Sequence, residues 1–383
     1  NSTYIVESGA WVWFAGTKFG TITPDTRPAL AAGDAGFMFW ATDTTRIYIW
    51  SGAAWIIPDA DTVDSQHAFE LAPYWGFPNK TDSTVSFAYP TLTITPSGAS
   101  YAYYRNGVRY TKTTPLTVDI TDTEGNWYFY FDSAGTLIAS QTFWDISDIA
   151  SVAFLYWDAT NNLVLIFADE RHGPTMDQVT HMYLHHTVGT RYETGLAVTG
   201  STTGTGALDA DAEIGVTNGE VHDEDITITI VDDATPTPPY EQVLTLPAQI
   251  PVFYRDGASA WRKKTANNFP VLEGTYFAPP RTRCSYNELS GALWLQTEVG
   301  NGDYFAVWIY ATNDINTPII ALIGQRTDNT FAQAQLNNTL GSLALGTLPF
   351  SEVKIIARLV FQTAAAYGNT PKARNREITD YRT

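Results

Sequence analysis

Residues 100–111 read SYAYYRNGVRYT, two alternating aromatic runs on either side of Asn106-Gly107. Asn-Gly supplies the positive φ angles of a two-residue turn, and alternation gives each run one buried and one solvated face, so the stretch predicts a β-hairpin. The same grammar recurs along the chain. FMFWA and RIYIW flank a polar TDTT turn (42–45). NWYFYFDSAGTLIA (126–139) turns at Asp-Ser-Ala-Gly, and VAFLYWDATNNLVLIFAD (152–169) turns at DATNN. ALWLQTEVGNGDYFAVWIYATND (292–314) predicts a further hairpin over GNGD, and VKIIARLVFQTAAAYGN (353–369) begins as a strand. Strands broken by turns every 8 to 12 residues or so cannot build a helical bundle; they build packed sheets. The expected fold is mainly β, with several antiparallel modules of sandwich or jelly-roll type and one short central helix.

Composition agrees where it bears on that reading. Aromatic residues make up 14% of the chain and charged residues only 16%, which suits pleated, half-buried surfaces. The single cysteine, Cys284, excludes an internal disulfide framework and a Cys-based zinc site. No apolar run approaches the roughly 20 residues of a membrane span, so no membrane insertion is expected. The opening NSTYIVESGA has neither the basic start nor the apolar core of a signal peptide, and it lacks an initiating Met, which leaves the completeness of the N-terminus open. The net charge of −18 is uneven: residues 1–246 carry 9 basic and 30 acidic side chains, residues 247–383 carry 13 and 10. The first balance repels phosphate backbones and the second is nearly neutral, so no nucleic-acid partner is expected.

The chain divides by pattern into six stretches. A small β module spans 1–60 and a linker spans 61–81. A β-sandwich-like domain spans 82–170 and a helical segment 171–195. A Gly/Thr-rich acidic β region (196–240) ends in TPTPP, where each Pro fixes φ and removes a donor. A C-terminal β domain fills 241–383.

The helical segment, RHGPTMDQVTHMYLHHTVGTRYETG (171–195), holds four of the six histidines; the others are His67 and His222. Thr175 and Gln178 stand as a capping box, and Gly189 stands as the C-terminal cap. At 100° per residue Met176, Val179, Met182, Tyr183 and His186 share one face, and His181 and His185 fall on the opposite one with Asp177 and Gln178. His186 then reads as a hydrogen-bonded core histidine. His181 and His185 have the i, i+4 spacing that sets two imidazoles on one metal ion, with His172, His222 or a neighbouring chain as the source of a third ligand. The stretch HMYLH lacks the glutamate of HExxH, and a polar helix face is most simply solvated. A structural role is therefore the preferred reading, with His172, His181 and His185 as the metal candidates.

Other constellations are weaker. DADAE (209–213) opens with the oxygen spacing of a calcium loop, and Glu220 falls at position 12, but Ile214 stands where position 6 needs Gly. HDEDITITI (222–230) reads as charge capping an exposed strand edge. Paired carboxylates can hydrolyse glycans, yet among 40 acidic residues nothing singles out a pair. Trp11, Trp13, Trp40, Trp50 and Trp55, with Tyr101, Tyr103, Tyr104 and Tyr110, suit sugar stacking, although alternation sends about half of such residues into cores. Nucleophile elbows, phosphate-binding loops and dinucleotide fingerprints find no match, so no catalytic residue and no cofactor is expected.

Several phrases resemble those of virion structural proteins of tailed bacteriophages. GDAGFMFWATDTTRIYIWSGAAW (33–55) is similar to a small β module of many tail and fibre proteins, on Gly33, Asp34, Gly36, Phe37, Asp43, Trp50, Gly52 and Trp55. DERHGPTMDQVTHMYLHHTVGTRYETGL (169–196) and GEVHDEDITITI (219–230) resemble the middle of such proteins. YRDGASAW, ATNDINTPIIALIGQ and ITDYRT resemble their C-terminal part. The resemblance implies a tail fibre or other virion appendage, usually a homotrimer, working in host-surface attachment. It carries over no catalytic residue. The partners it implies are copies of the chain, other tail or collar proteins, and a bacterial surface glycan or outer-membrane receptor. An architectural collar, baseplate or head-fibre component is the alternative within that class, and a tail-spike glycan depolymerase the alternative outside it.

Overall fold

A computed structural model of the chain describes residues 19–22, 30–36, 38–41, 46–56, 62–63, 66–67, 75–146, 148–349 and 352–382. The fold is mainly β, with several antiparallel sheets and two α-helices among the described residues. The chain forms two compact units, residues 1–73 and 74–383.

The first unit holds a four-stranded sheet in the order Phe19–Ile22, Met38–Ala41, Arg46–Trp50, Trp55–Ile56. The expected hairpin is present as the antiparallel pair Met38–Ala41 and Arg46–Trp50. Gly52 adopts φ +96°, a left-handed value open to glycine, and lets the chain double back so that the Trp50 and Trp55 rings meet edge-on at 5.5 Å. The Trp50 indole donates to Ala31 O at 2.9 Å. Trp11, Trp13, Phe37 and Asp43 lie outside the described residues.

In the second unit the Asn-Gly hairpin forms as expected, Tyr101–Arg105 against Val108–Lys112, with φ of 47° and 75° at Asn106 and Gly107. Tyr101 and Tyr103 are core residues, Tyr103 stacking on Phe131 at 4.1 Å. A four-stranded antiparallel sheet runs Leu137–Ser140, Gly125–Phe131, Ala150–Asp158, Leu163–Asp169. A six-stranded sheet runs Ala260–Asn267, Ile250–Asp256, Ile319–Asp328, Tyr304–Thr312, Val353–Thr363, Ala373–Asp380; its one parallel pairing joins Ile250–Asp256 to Ile319–Asp328.

Both sheets are covered on two faces, and the alternation of side chains divides their residues between two cores. Along Tyr304–Thr312, Phe305, Val307, Ile309 and Ala311 enter one core, and Ala306, Trp308 and Tyr310 the other. Ala150–Asp158 is buried along its whole length for the same reason. Each large side chain so buried contributes about 1.5–3 kcal/mol. The sheets are joined by backbone: Ile315 N–H donates to Phe167 O at 2.8 Å, beside the Ala168–Asp314 bridge. Strand Ile226–Asp232 pairs in parallel with Glu241–Gln242 across the Pro-rich 235–239 stretch.

One hairpin is not where the sequence pattern puts it. Leu293–Glu298 pairs back with Ser285–Ser290, through a turn at Gly291, φ 63°. GNGD instead links Leu293–Glu298 to Tyr304–Thr312, and Gly302 N–H bonds Thr363 O at 2.8 Å. Cys284 is buried, its thiol donating to Pro371 O at 3.1 Å and pushed up in pKa by burial. No helix among the described residues is long and apolar enough to cross a membrane.

Candidate functional site

Strand Leu163–Asp169 runs on into Glu170-Arg171-His172. Arg171 turns back onto Asp169 (2.7 and 2.8 Å) and onto Ser83, which leaves Glu170 and His172 facing the other way. The chain passes close above His172. Phe77 N–H bonds His172 O at 2.6 Å, and a Cβ on Gly76, φ +77°, would stand 2.2 Å from that oxygen. Trp75 thereby lies over the centre, its ring 4.5 Å from His181 and 6.1 Å from His172.

Helix α1, Gln178–Thr187, is capped by Asp177, whose carboxylate accepts from Val179 N and Thr180 N at 3.0 Å. This corrects the expected capping box: Thr175 donates instead to Asp225. Gly189 closes the helix at φ 60° as expected. Apart from Met182, which packs against the core, the expected orientation of the helix is reversed. Gln178, His181 and His185 face inward, His181 only 2% exposed, while Val179 and Tyr183 stand 66% and 63% exposed and His186 faces solvent. A polar face turns inward when other elements supply partners for it, and a turn 40 residues on does so here.

That turn joins Gly219–Asp223 to Ile226–Asp232 through only Glu224 and Asp225. Glu224 adopts φ 44°, a conformation costing a non-glycine residue about 1 kcal/mol. The result is two carboxylates aimed at one place. Asp225 accepts from His172 Nδ1 (2.8 Å), Gly173 N (2.7 Å) and Thr175 Oγ1 (2.8 Å). Glu224 enters between the rings: Oε2 lies 3.7 Å from His181 Nε2 and 4.0 Å from His172 Nε2, and Oε1 lies 3.9 Å from His185 Nδ1. Glu352, just ahead of strand Val353–Thr363, meets His185 Nδ1 at 2.9 Å and accepts from Thr190 Oγ1 at 2.9 Å. Glu170 stands 3.7 Å from His172 Nε2, and Asp223 is fully buried beside it.

Three imidazoles thus meet five carboxylates, so the acidic groups outnumber the basic ones by two. The titrations follow from that crowding. Burial, with Glu352, Glu170 and Glu224 beside it, pushes Asp223 well above the carboxylate range. Burial opposes ionisation of Glu224 too, but His181, Asp223 and His172 hold it down at about 2. Burial would lower His172, yet Asp225 and Glu170 carry it up to about 10. Burial holds His181 below its ordinary value.

The sequence singled out His172, His181 and His185, and the structure brings all three together within one chain. Three sets of side chains here have ligand atoms within 4.8 Å of one another: His172, His181, Glu224; Glu170, His172, Asp223; and His185, Glu224, Glu352. His222 stays outside, half-buried beside Glu220 at 3.4 Å. HDED therefore does not charge an exposed edge; three of its acids belong to this interior. The calcium-loop reading finds no gathering of oxygens. Asp211 caps the backbone N–H groups of Gly206, Ala207 and Leu208, Asp209 accepts from Thr370, and Glu220 accepts from Thr229.

A cleft of about 620 Å³ opens nearby, lined by Lys80, Thr84, Arg171, Thr229 and Tyr240 among others. Its Arg171 and Asp169 neutralise each other.

What fold and site define together is a mainly β protein with a buried histidine–carboxylate centre. No protein-family model and no curated protein matches the sequence. Among solved structures the chain is similar to two variants of the Major Tropism Determinant, M1 and I1, each at 14% identity and TM-score 0.21. The match covers 37% of this chain and only 37% of the length of those proteins. The P3c variant matches at 10% identity and TM-score 0.24 over 95% of this chain and 94% of that one.

Proposed function

We propose that the chain is a subunit of a tailed-phage appendage, a tail fibre or a similar external structure of the virion, and works in attachment to the host surface. The observation that carries this reading is the order of sequence phrases: the Gly33–Trp55 module, the histidine segment with GEVHDEDITITI, then the C-terminal phrases. A mainly β chain with a small N-terminal sheet unit is compatible with it. In this reading the chain assembles as a homotrimer, residues 1–60 serve assembly, and the near-neutral C-terminal part approaches the anionic host surface more easily than the acidic remainder.

The depolymerase alternative gains nothing from the carboxylates that lie together, because Glu170, Asp223 and Glu352 are buried out of reach of a sugar chain. The test is direct. Soluble protein is added to host cells before phage, and purified particles are labelled with antibody to the chain. Labelled particles and blocked adsorption are expected; labelled particles with unimpaired adsorption point to an architectural component, and unlabelled particles overturn the reading. Light scattering should give three times the 42.2 kDa chain mass.

A further inference from the structure

His181 has no hydrogen-bond partner at either ring nitrogen, and Glu224 has none at either carboxylate oxygen, although both side chains are at least 97% buried. Buried polar atoms are ordinarily bonded, and a charged one left alone costs several kcal/mol. The atoms are not scattered. His172 Nε2, His181 Nε2 and Glu224 Oε2 converge at separations of 3.7 and 4.0 Å to the carboxylate oxygen, too long for hydrogen bonds. Donors bonded at about 2.1 Å to one tetrahedral ion stand roughly 3.4 Å apart, so the two separations to Glu224 Oε2 need close by roughly 0.3–0.6 Å, within a set whose ligand atoms all lie within 4.8 Å of one another.

The outer contact of His172 is also that of a metal ligand. A ligating imidazole presents one nitrogen to the ion and donates the other N–H to a carboxylate, which fixes its tautomer and orientation. His172 does this with Asp225 at 2.8 Å, leaving Nε2 turned toward Glu224. Glu170 Oε2 stands 3.7 Å from the same Nε2 and groups with His172 and Asp223, not with His181 and Glu224. Imidazole and carboxylate donors without thiolate suit zinc among the divalent transition metals.

We propose that His172, His181 and Glu224 bind one divalent transition-metal ion, zinc by the chemistry of the donors, and that the ion fastens α1 to the Glu224-Asp225 turn and to the loop after Leu163–Asp169. The ion is structural: the site is roofed by Trp75 and closed to substrate. Binding of the ion does not depend on a role in attachment.

The test uses the full chain without a histidine tag. Metal content is measured as purified; the protein is then stripped with EDTA, dialysed and titrated with Zn²⁺ and with Co²⁺. One equivalent of zinc, a Co²⁺ absorption spectrum of low-symmetry N/O ligation that Zn²⁺ abolishes, and a melting temperature that rises on reloading are expected. H181A and the isosteric E224Q should each weaken binding more than tenfold, D225N about ten- to a hundredfold, and H222A not at all. A natively folded wild-type chain that binds neither ion overturns the proposal, whatever the variants do. So does binding that survives H181A and E224Q but is lost in H222A.

Discussion

Asp225 accepts from His172 Nδ1 at 2.8 Å with one oxygen and from Gly173 N and Thr175 Oγ1 with the other. One carboxylate thus fixes a ring and the loop that leads into α1. In Asp225→Ala a buried imidazole and a backbone N–H lose their acceptor. We expect a loss of about 2–4 kcal/mol in urea denaturation, with Asp225→Asn retaining part of it. Equal stability of D225A and wild type would remove Asp225 from any organising role.

Gly76 and Gly291 separate crowding from conformation. Both have positive φ, but a Cβ at Gly76 meets His172 O at 2.2 Å and one at Gly291 meets nothing within 4 Å. Gly291→Ala should cost about 1 kcal/mol and Gly76→Ala well above 2 kcal/mol. Thermal melts of the two variants read the difference, and similar melting temperatures would contradict the close approach.

Lys264 is buried with its ammonium on Glu273 Oε2 (2.6 Å), Asn267 Oδ1 and the carbonyls of Phe269 and Val271. Lys264→Met strands the Glu273 charge and should cost about 3–5 kcal/mol. Lys264→Met with Glu273→Gln removes both charges and should recover a good part. A double variant no better than the single one would show that the carbonyls, not the ion pair, set the cost.

Asp328 fixes the second helix, α2 (Phe331–Asn337), by accepting from Asn337 Nδ2 (2.7 Å) and Asn338 Nδ2 (3.0 Å) while paired with Arg326. Burial opposes its ionisation, but Arg326 and the two Asn side chains hold its carboxyl below the usual range. A carboxyl depressed in the folded state contributes fully above its unfolded pKa, about 3.9, and loses that contribution as pH falls through the folded value. Asp328→Asn should therefore be less stable than wild type by about 1–3 kcal/mol at pH 7, with the gap closing below about pH 4. Denaturation at pH 7, 5 and 3 measures it, and a gap unchanged at pH 3 would contradict the assignment.

Legibility in the sequence followed the range of the interactions. The hairpin at Asn106-Gly107 could be read because turn and register lie within twelve residues. The GNGD hairpin could not, since the partner of Leu293–Glu298 is decided by Gly291 and by how Tyr304–Thr312 docks between the following strand, Ile319–Asp328, and the more distant Val353–Thr363. The three histidines were visible as a cluster, and their facing was not. A helical wheel assumes that water meets the polar side, and here the polar side meets Glu224 and Glu352. Those acids come from a two-residue turn and from a residue ahead of the penultimate strand. The one local hint was HDED at a hairpin turn, where glycine or asparagine is usual.

The place of Glu352 has a consequence for how the chain matures. His172, His181 and His185 are synthesised early, Glu224 comes next, and the carboxylate that meets His185 arrives only with Val353–Thr363. That strand is held between Tyr304–Thr312 and Ala373–Asp380, so the Glu352 contact ties the interior around α1 to the large sheet. The histidine interior therefore joins the earliest and the latest parts of the second unit, and it is incomplete without Val353–Thr363.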